Sequence, residues 1–285
     1  MSKNNGNGKG LQDFEERHGG SKIKELEEKL SIERAKVEAL ASDDSRITIS
    51  ETNETTLRFG LTGDRHFGSL YHDNAALRAF YAYCIERGIK DVFDAGDFVD
   101  GHKIYRGQEF ELRDLGYDRQ IRRVEKSSPT SIKTHFITGN HCASFKNLAG
   151  AEVGKEIENR LENHVYLGDT TARYKWVTPN GNFILDLLHP DGGTAYALSY
   201  KPQKIAEALE GGTKPDMLAI GHFHKAELMP MYRNICTVQV GCFQRQTPFM
   251  ARKGSQAHVG GWIIEVVIGK NKKYKIIRPE FIAFY

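Results

Sequence analysis

The chain has 285 residues, enough for one sizeable domain or one domain with an appendage. Its 39% hydrophobic and 27% charged residues argue against disorder over most of its length, and a net charge of +3 does not by itself mark a nucleic-acid-binding protein. Its four cysteines form no CxxC pair, so neither structural zinc nor a disulfide framework is indicated.

The first 55 residues differ in character from the rest. Residues 1–10 (MSKNNGNGKG) predict a disordered lead without the apolar centre of a secretory signal. Residues 21–40 predict a charged helix with Ser21 as N-cap, which could dock on the domain or mediate self-association or partner binding. Residues 43–55 are polar and predict a linker. No apolar run reaches the roughly 20 residues of a membrane span, so we expect a cytoplasmic protein with no membrane partner.

From residue 56 to 285 the pattern predicts one α/β domain. LRFGLTGD, IKDVFDAGD and THFITGN are apolar strands that run into turns, and residues 73–87 between the first two have helical periodicity. Strands that alternate with helices favour a sheet with largely parallel core strands. Further strands are NFILDLLHP and DMLAIGHFH, followed by TVQVGCF, GWIIEVVIG and YKIIRPEFIAF, which we expect to be antiparallel and to complete a second sheet.

Five apolar strands end in turns that contain metal-ligand residue types. Parallel strands bring their carboxyl ends to one edge of a sheet, so these turns can meet in one cavity. A mixture of carboxylate, imidazole and amide donors suits Mn²⁺, Fe or Zn²⁺ better than Ca²⁺ or structural zinc. Taken singly, these motifs are better explained by turn formers, helix caps or buried histidines, and only their occurrence together favours metal ligands. The residues, in chain order, are Asp64 and His66, Asp97 and Asp100, Asn140 and His141, His189, and His222 and His224.

The series D-x-H, G-D-x-x-D, G-N-H, H and G-H-x-H, in this order, resembles the calcineurin-like metallophosphoesterase superfamily over residues 57 to about 268. The resemblance implies two β-sheets packed face to face with helices on both outer sides. It also implies two divalent transition-metal ions, with Mn²⁺ favoured over Fe, Zn²⁺ or Ni²⁺. Asp64, His66 and His224 would hold one ion, Asn140, His189 and His222 the other, with Asp97 and a hydroxide between them.

Asp97 and His141 are the predicted catalytic residues. The superfamily places the histidine that matches His141 near the leaving group, where it could donate a proton or stabilise charge. An acidic residue usually follows this histidine in the superfamily, but Cys142 follows it here. A thiol orients an imidazole poorly and does little to raise its pKa, which puts the acid role of His141 in question.

Two segments are candidates for substrate contact. Residues 103–126 carry several arginines and predict a solvated helical face or a wall that guides a polyanion. Residues 241–254 are similar to a segment of nuclease-type members, including small subunits of archaeal replicative polymerases. A phosphodiester, with nucleic acid first, is the predicted substrate; a phosphomonoesterase or a non-catalytic scaffold subunit with this fold is the alternative. The candidate residues are His102, Arg106, Gln244 and Arg245, with Phe243 or Phe249 for stacking on a base.

Overall fold

The structure is a computed structural model that describes residues 47–285 except 194, 196, 211 and 271–273. The predicted disordered lead and the predicted helix over residues 21–40 lie outside the described residues. In the part of the chain that is described, no helix combines the length and apolarity needed to cross a bilayer.

Strands and helices alternate along the first half of the domain, and strands dominate the second half. The strands are β1 (Ile47–Glu51), β2 (Thr56–Thr62), β3 (Asp91–Asp94), β4 (Lys133–Ile137), β5 (His164–Gly168), β6 (Thr171–Thr178), β7 (Gly181–Leu188), β8 (Met217–Ile220), β9 (Ala226–Tyr232), β10 (Ile235–Val240), β11 (Gly260–Ile268) and β12 (Lys275–Ala283). The helices are α1 (Asn74–Glu86), α2 (Tyr117–Ser127), α3 (Asn140–Ala149), α4 (Val153–Arg160), α5 (Tyr200–Ala208) and α6 (Pro248–Arg252), with a 3₁₀ turn at Gln108–Phe110.

The strands form two six-stranded sheets. The first has the order β1-β6-β7-β8-β10-β9, and the second has the order β12-β11-β2-β3-β4-β5. Strands β2 to β5 are parallel to one another, and β7, β8 and β10 are parallel in the other sheet. Each sheet therefore has a parallel centre, which gathers the carboxyl ends of its strands at one edge.

The inner faces of the two sheets form the main core. Leu57, Phe59 and Leu61 alternate along β2 and pack with residues of β6 and β7. Phe59 stacks on Trp176 with ring centroids 5.1 Å apart, and Phe93 meets the same indole edge-on at 5.2 Å. These contacts bury large aromatic side chains between the sheets and fix the sheets face to face.

Helices cover both outer faces. Leu77 and Phe80 of α1 belong to a second cluster on the far side of β2 and β3, together with residues of α2, α3 and α4. On the other sheet, Ala206 of α5 packs with Leu218 and Ile220 of β8. Because both faces are buried, the central strands are apolar along most of their length. This confirms the predicted α/β fold with two sheets between helical layers.

Three local predictions need correction or refinement. Residues 47–51 are not linker but the edge strand β1, because ITISE alternates β-branched Ile residues with polar ones and pairs with β6. Strand β10 does not join β11 and β12 in an antiparallel sheet; it pairs parallel with β8. The basic segment 103–126 is α-helical only from Tyr117; Gly107 and Gly116, both with positive φ angles, precede the 3₁₀ turn at Gln108–Phe110 and this helix.

Candidate metal centre

The ligand-type residues lie in turns whose backbone is strained. A non-glycine residue rarely adopts a positive φ, and each such residue costs of order 1–3 kcal/mol. Strain of this kind persists where surrounding contacts hold it, and it concentrates at functional sites. Five of the seven predicted metal ligands have this conformation: Asp64 (φ 49°), His66 (φ 50°), Asp97 (φ 53°), His222 (φ 77°) and His224 (φ 54°).

Asp64, His66 and His224 form the first group of candidate ligands. Asp64 Oδ1 lies 3.2 Å from Nε2 of His224 and 3.8 Å from Nε2 of His66, and the two imidazole nitrogens are 3.0 Å apart. All three residues are buried. Two imidazole nitrogens and a carboxylate oxygen that converge on one point, away from water, are the donor set of a transition-metal ion.

Asn140, His189 and His222 form the second group. The amide oxygen of Asn140 lies 3.2 Å from Nε2 of His189 and 3.0 Å from Nδ1 of His222. Asp97 Oδ2 lies 3.0 Å from the same nitrogen of His189. Asn140 is the first residue of α3, directly after the turn that ends β4, and this placement brings its amide to the sheet edge.

Asp97 lies between the two groups. Its Oδ2 is 3.0 Å from Nε2 of His189 and 4.0 Å from Nε2 of His66, and its Oδ1 accepts a hydrogen bond from the backbone N–H of His141. A carboxylate at this position can neutralise charge on both sides. The structure therefore brings together all seven residues that the sequence predicted as ligands.

Hydrogen bonds on the outer side of three histidines select the nitrogen that faces the centre. Nδ1 of His66 lies 2.9 Å from a carboxylate oxygen of Asp100, and Nδ1 of His189 donates to the carbonyl of Ala95 at 2.7 Å. His222 is reversed, because its Nε2 donates to the carbonyl of Gly192 at 2.5 Å. In the neutral form, each imidazole would keep its outer proton and turn an unprotonated nitrogen to the centre, an arrangement common around protein-bound metals.

Two glycines leave the room that His189 needs. A Cβ on Gly139 would lie 2.4 Å from Oδ1 of Asp97 and 2.7 Å from Nε2 of His189. A Cβ on Gly221 would lie 2.3 Å from the carbonyl oxygen of Ala95. These glycines explain why the turns G-N-H and G-H-x-H begin with a residue that has no side chain.

The buried carboxylates of the centre favour positive charge on the groups beside them. Burial opposes a charge on His66, but its hydrogen bonds to Asp100 and Asp64 outweigh burial and raise the pKa of His66 to about 10. Burial also opposes a charge on His189, yet the attraction of Asp97 raises its pKa to about 9. Against burial, the neighbouring histidines hold the pKa values of Asp64 and Asp97 well below their usual range. The ionised carboxylates thus favour positive charge beside them, and a divalent transition-metal ion would take the place of the protons on these imidazoles.

A backbone carbonyl orients His141, although the next residue is not acidic. Its Nδ1 donates to the backbone carbonyl of Asp100 at 2.6 Å, and its ring meets the His66 ring edge-on with centroids 4.5 Å apart. The Cys142 side chain is buried, and burial raises the pKa of its thiol to about 12, so it stays neutral. A backbone carbonyl therefore orients this imidazole, which leaves Nε2 available to the cleft.

The predicted substrate residues have different positions. The cleft at the centre has a volume of about 550 Å³, and His102, Arg106 and Arg245 are not among its described lining residues. Gln244 does line it, but its amide nitrogen donates to Ser69 Oγ and to Asp100 Oδ1, so Gln244 supports the carboxylate that holds His66. Phe243 is fully buried, whereas Phe249 lines the cleft. Five further lining residues lie in the two segments predicted to contact substrate, although none was named individually: Ile104, Tyr105, Thr247, Met250 and Lys253. Ser255, just outside these segments, also lines the cleft.

Comparison with known proteins gave matches of structure only. No family model and no curated protein matches the sequence. Vps29 from Entamoeba histolytica, solved with Zn²⁺, is 13% identical with a TM-score of 0.37, over 80% of this chain and 100% of that one. Vps29 from Chaetomium thermophilum is 12% identical with a TM-score of 0.41, over 81% and 98% of the two chains. A predicted phosphoesterase from Streptococcus pneumoniae is 11% identical with a TM-score of 0.40, over 80% and 90%.

Proposed function

We propose that this chain is a metal-dependent phosphodiesterase of the calcineurin-like metallophosphoesterase type, with a dinuclear centre and with nucleic acid as its first substrate class. The observation that carries the proposal is the pair of ligand groups that share Asp97. Each group takes residues from both sheets: Asp64 and His66 join His224, and Asn140 joins His189 and His222. Burying seven polar donor side chains costs free energy, and apolar side chains would stabilise the fold better at these positions, so their convergence supports a functional role.

Two bound ions would supply Lewis acidity toward phosphate oxygens and a water with a pKa lowered to about 7. The residues that would hold them are the seven described above, and Mn²⁺ is the ion we favour. His141 lies beside the centre with Nδ1 donating to the Asp100 carbonyl, so the proton that a departing alkoxide oxygen needs would be on Nε2 of the imidazolium form. Asp97 fixes the backbone of His141 and so links ion binding with the position of this imidazole.

The test is an activity panel with the full chain after reconstitution with Mn²⁺. We expect about two equivalents of metal, hydrolysis of bis-p-nitrophenyl phosphate and of single-stranded DNA, and weaker hydrolysis of p-nitrophenyl phosphate. Asp97→Asn should lose metal and activity together, whereas Asp91→Asn, which removes a half-exposed carboxylate from the strand that precedes Asp97, should keep both. Hydrolysis of the monoester alone would assign a phosphomonoesterase, and bound metal without any hydrolysis would assign a scaffold.

A second measurement tests the nucleic-acid class. Each phosphate contact made by a cationic side chain releases counterions, so binding weakens log-linearly with salt. We would measure single-stranded DNA binding by the Asp97→Asn variant between about 50 and 200 mM salt. A steep slope of log affinity against log salt that decreases by about one unit in Arg245→Ala supports contact between Arg245 and the phosphate backbone. A flat response contradicts it and favours a small phosphodiester.

A further inference from the structure

The cleft has an aromatic wall beside the metal centre. The rings of Tyr105 and Phe249 stack with centroids 4.2 Å apart and an interplanar angle of 20°. Both residues line the same cleft as His66, Asp97 and His141. They come from distant parts of the chain: one follows the turn after β3, and the other lies in α6.

A single buried carboxylate holds the two aromatic residues together. The Tyr105 hydroxyl donates to Oε2 of Glu111 at 2.8 Å, and the backbone N–H of Phe249 donates to Oε1 of the same carboxylate at 3.1 Å. Glu111 is only 4% exposed, so these hydrogen bonds satisfy a charge that would otherwise be costly to bury. The helix that carries Phe249 is itself capped, since Thr247 Oγ1 accepts from the Met250 N–H.

The wall is also tied to the ligand residues. The side chain of Gln108 accepts from the backbone N–H of Ile104 and donates to the carbonyl of Asp100, whose carboxylate lies against Nδ1 of His66. The position of the wall relative to the centre is therefore set by hydrogen bonds through buried residues. The two rings are therefore held in a fixed position beside the centre, as a preorganised binding surface requires.

We infer that the Tyr105–Phe249 wall is a subsite for a flat unsaturated ring, of the nucleobase class, carried by the phosphodiester whose hydrolysis is proposed above. The inference rests on that proposed function. Ile104 and Met250 extend the apolar surface, while Lys253 and Ser255 add polar groups to the same cleft. This combination suits a heterocycle with an attached sugar phosphate better than an alkyl chain. A cleft of about 550 Å³ accommodates one such unit beside the phosphate.

The experiment compares two diesters that release the same leaving group. Thymidine 5′-(p-nitrophenyl phosphate) carries a base, and methyl p-nitrophenyl phosphate does not. Aromatic stacking on a base is worth about 5- to 150-fold in affinity. We therefore expect Phe249→Ala to lower kcat/KM for the thymidine diester by a factor in that range and to change the methyl diester by less than about twofold. Phe249→Tyr should retain most of the preference, because it keeps the ring.

Phe110→Ala is the matched control, because Phe110 is an 81% exposed ring in the segment that carries Tyr105 and is not among the lining residues. It should leave both substrates unchanged. Equal losses on both diesters in Phe249→Ala, or no loss on either, would overturn the subsite. If the wild type hydrolyses neither diester, the proposed function fails, and equilibrium binding of thymidine 5′-monophosphate to the Mn²⁺-loaded protein still decides the subsite: weaker binding in Phe249→Ala supports it, and equal binding refutes it.

Discussion

At the scale of single residues, His141 combines a fixed orientation with an unused nitrogen. The Asp100 carbonyl holds Nδ1, and Asp97 holds the backbone N–H. Neither contact depends on an acidic side chain after His141, so Cys142 does not prevent the imidazole from adopting its position. Burial lowers the pKa of His141, although Asp97 acts in the opposite direction. The geometry thus answers the question that the sequence raised about orientation.

We expect His141→Ala to keep its metal and to lose about 10²- to 10⁴-fold in turnover, as general acids typically contribute. The loss should be largest for esters with poor leaving groups, because a good leaving group needs little protonation. Metal content by elemental analysis and kcat for a series of aryl diesters measure the two effects. His102→Ala is the control, since His102 is not among the cleft-lining residues. Equal losses across the series would indicate electrostatic support instead of proton donation.

The protons on His66 and His189 give a second prediction. The pKa of His66 is raised from the unfolded value of 6.5 to about 10, and that of His189 to about 9. The charged imidazoles therefore stabilise the metal-free fold fully below pH 6.5, and this contribution to the free energy of unfolding is lost as the pH rises through 9 to 10. A metal ion must displace these protons. We therefore expect metal affinity to increase with pH below pH 9. Titration calorimetry with Mn²⁺ in buffers of different ionisation enthalpy measures the released protons, and identical heats in all buffers would contradict the prediction.

At the scale of elements, the turns at the strand ends set the positions of the candidate ligands. Gly139 has an extended backbone (φ −149°), so alanine is conformationally acceptable there, but its Cβ would collide with Asp97 and His189. We expect Gly139→Ala to remain folded and to lose metal at both positions. Circular dichroism and elemental analysis test this pair of results. Gly212→Ala is the control, because its Cβ would meet nothing within 4 Å. Full metal content in Gly139→Ala would show that the turn can relax.

The sequence placed the candidate ligands at these turns, and it singled out Phe249 of the aromatic wall but neither Tyr105 nor Glu111, for a physical reason. A ligand such as Asp64 or His189 directly follows a buried strand, and a parallel sheet brings such positions together whatever the loops do. Tyr105 and Glu111 lie in an irregular segment whose path is set by single contacts, among them the bond from Tyr105 to Glu111. No periodicity encodes contacts of this kind. Strand β10 was assigned to the wrong sheet because strand sequences do not specify their neighbours.

At the scale of the whole molecule, the centre joins two layers that are otherwise held by apolar packing. Ions held by Asp64, His66 and His224, or by Asn140, His189 and His222, would connect the two sheets. Metal that binds only the folded protein at 100 times its dissociation constant adds about 2.7 kcal/mol to stability. We expect Mn²⁺ to raise Tm by about 5–10 °C relative to chelated protein, given about 2–4 °C per kcal/mol for a domain of this size.

Differential scanning calorimetry with Mn²⁺ and with chelator measures this shift. Asp97→Asn should show a much smaller difference between the two conditions, whereas Asp91→Asn should behave as the wild type. A wild-type Tm that is the same with Mn²⁺ and with chelator would show that the sheets keep their relative position without the ions.

The spread of the ligands along the chain also sets an order of events during synthesis. Asp64, His66, Asp97 and Asn140 follow strands β2 to β4, whereas His189, His222 and His224 follow β7 and β8. A chain leaving the ribosome therefore exposes the acidic half of the centre well before its last histidines are made, since domains emerge from the N-terminus at about 5–20 residues per second. Neither ion can have its full set of ligands until His222 has emerged. On the proposed function, full loading would wait for the end of translation, because a chain stalled before β8 has five of the seven residues and lacks His222 and His224.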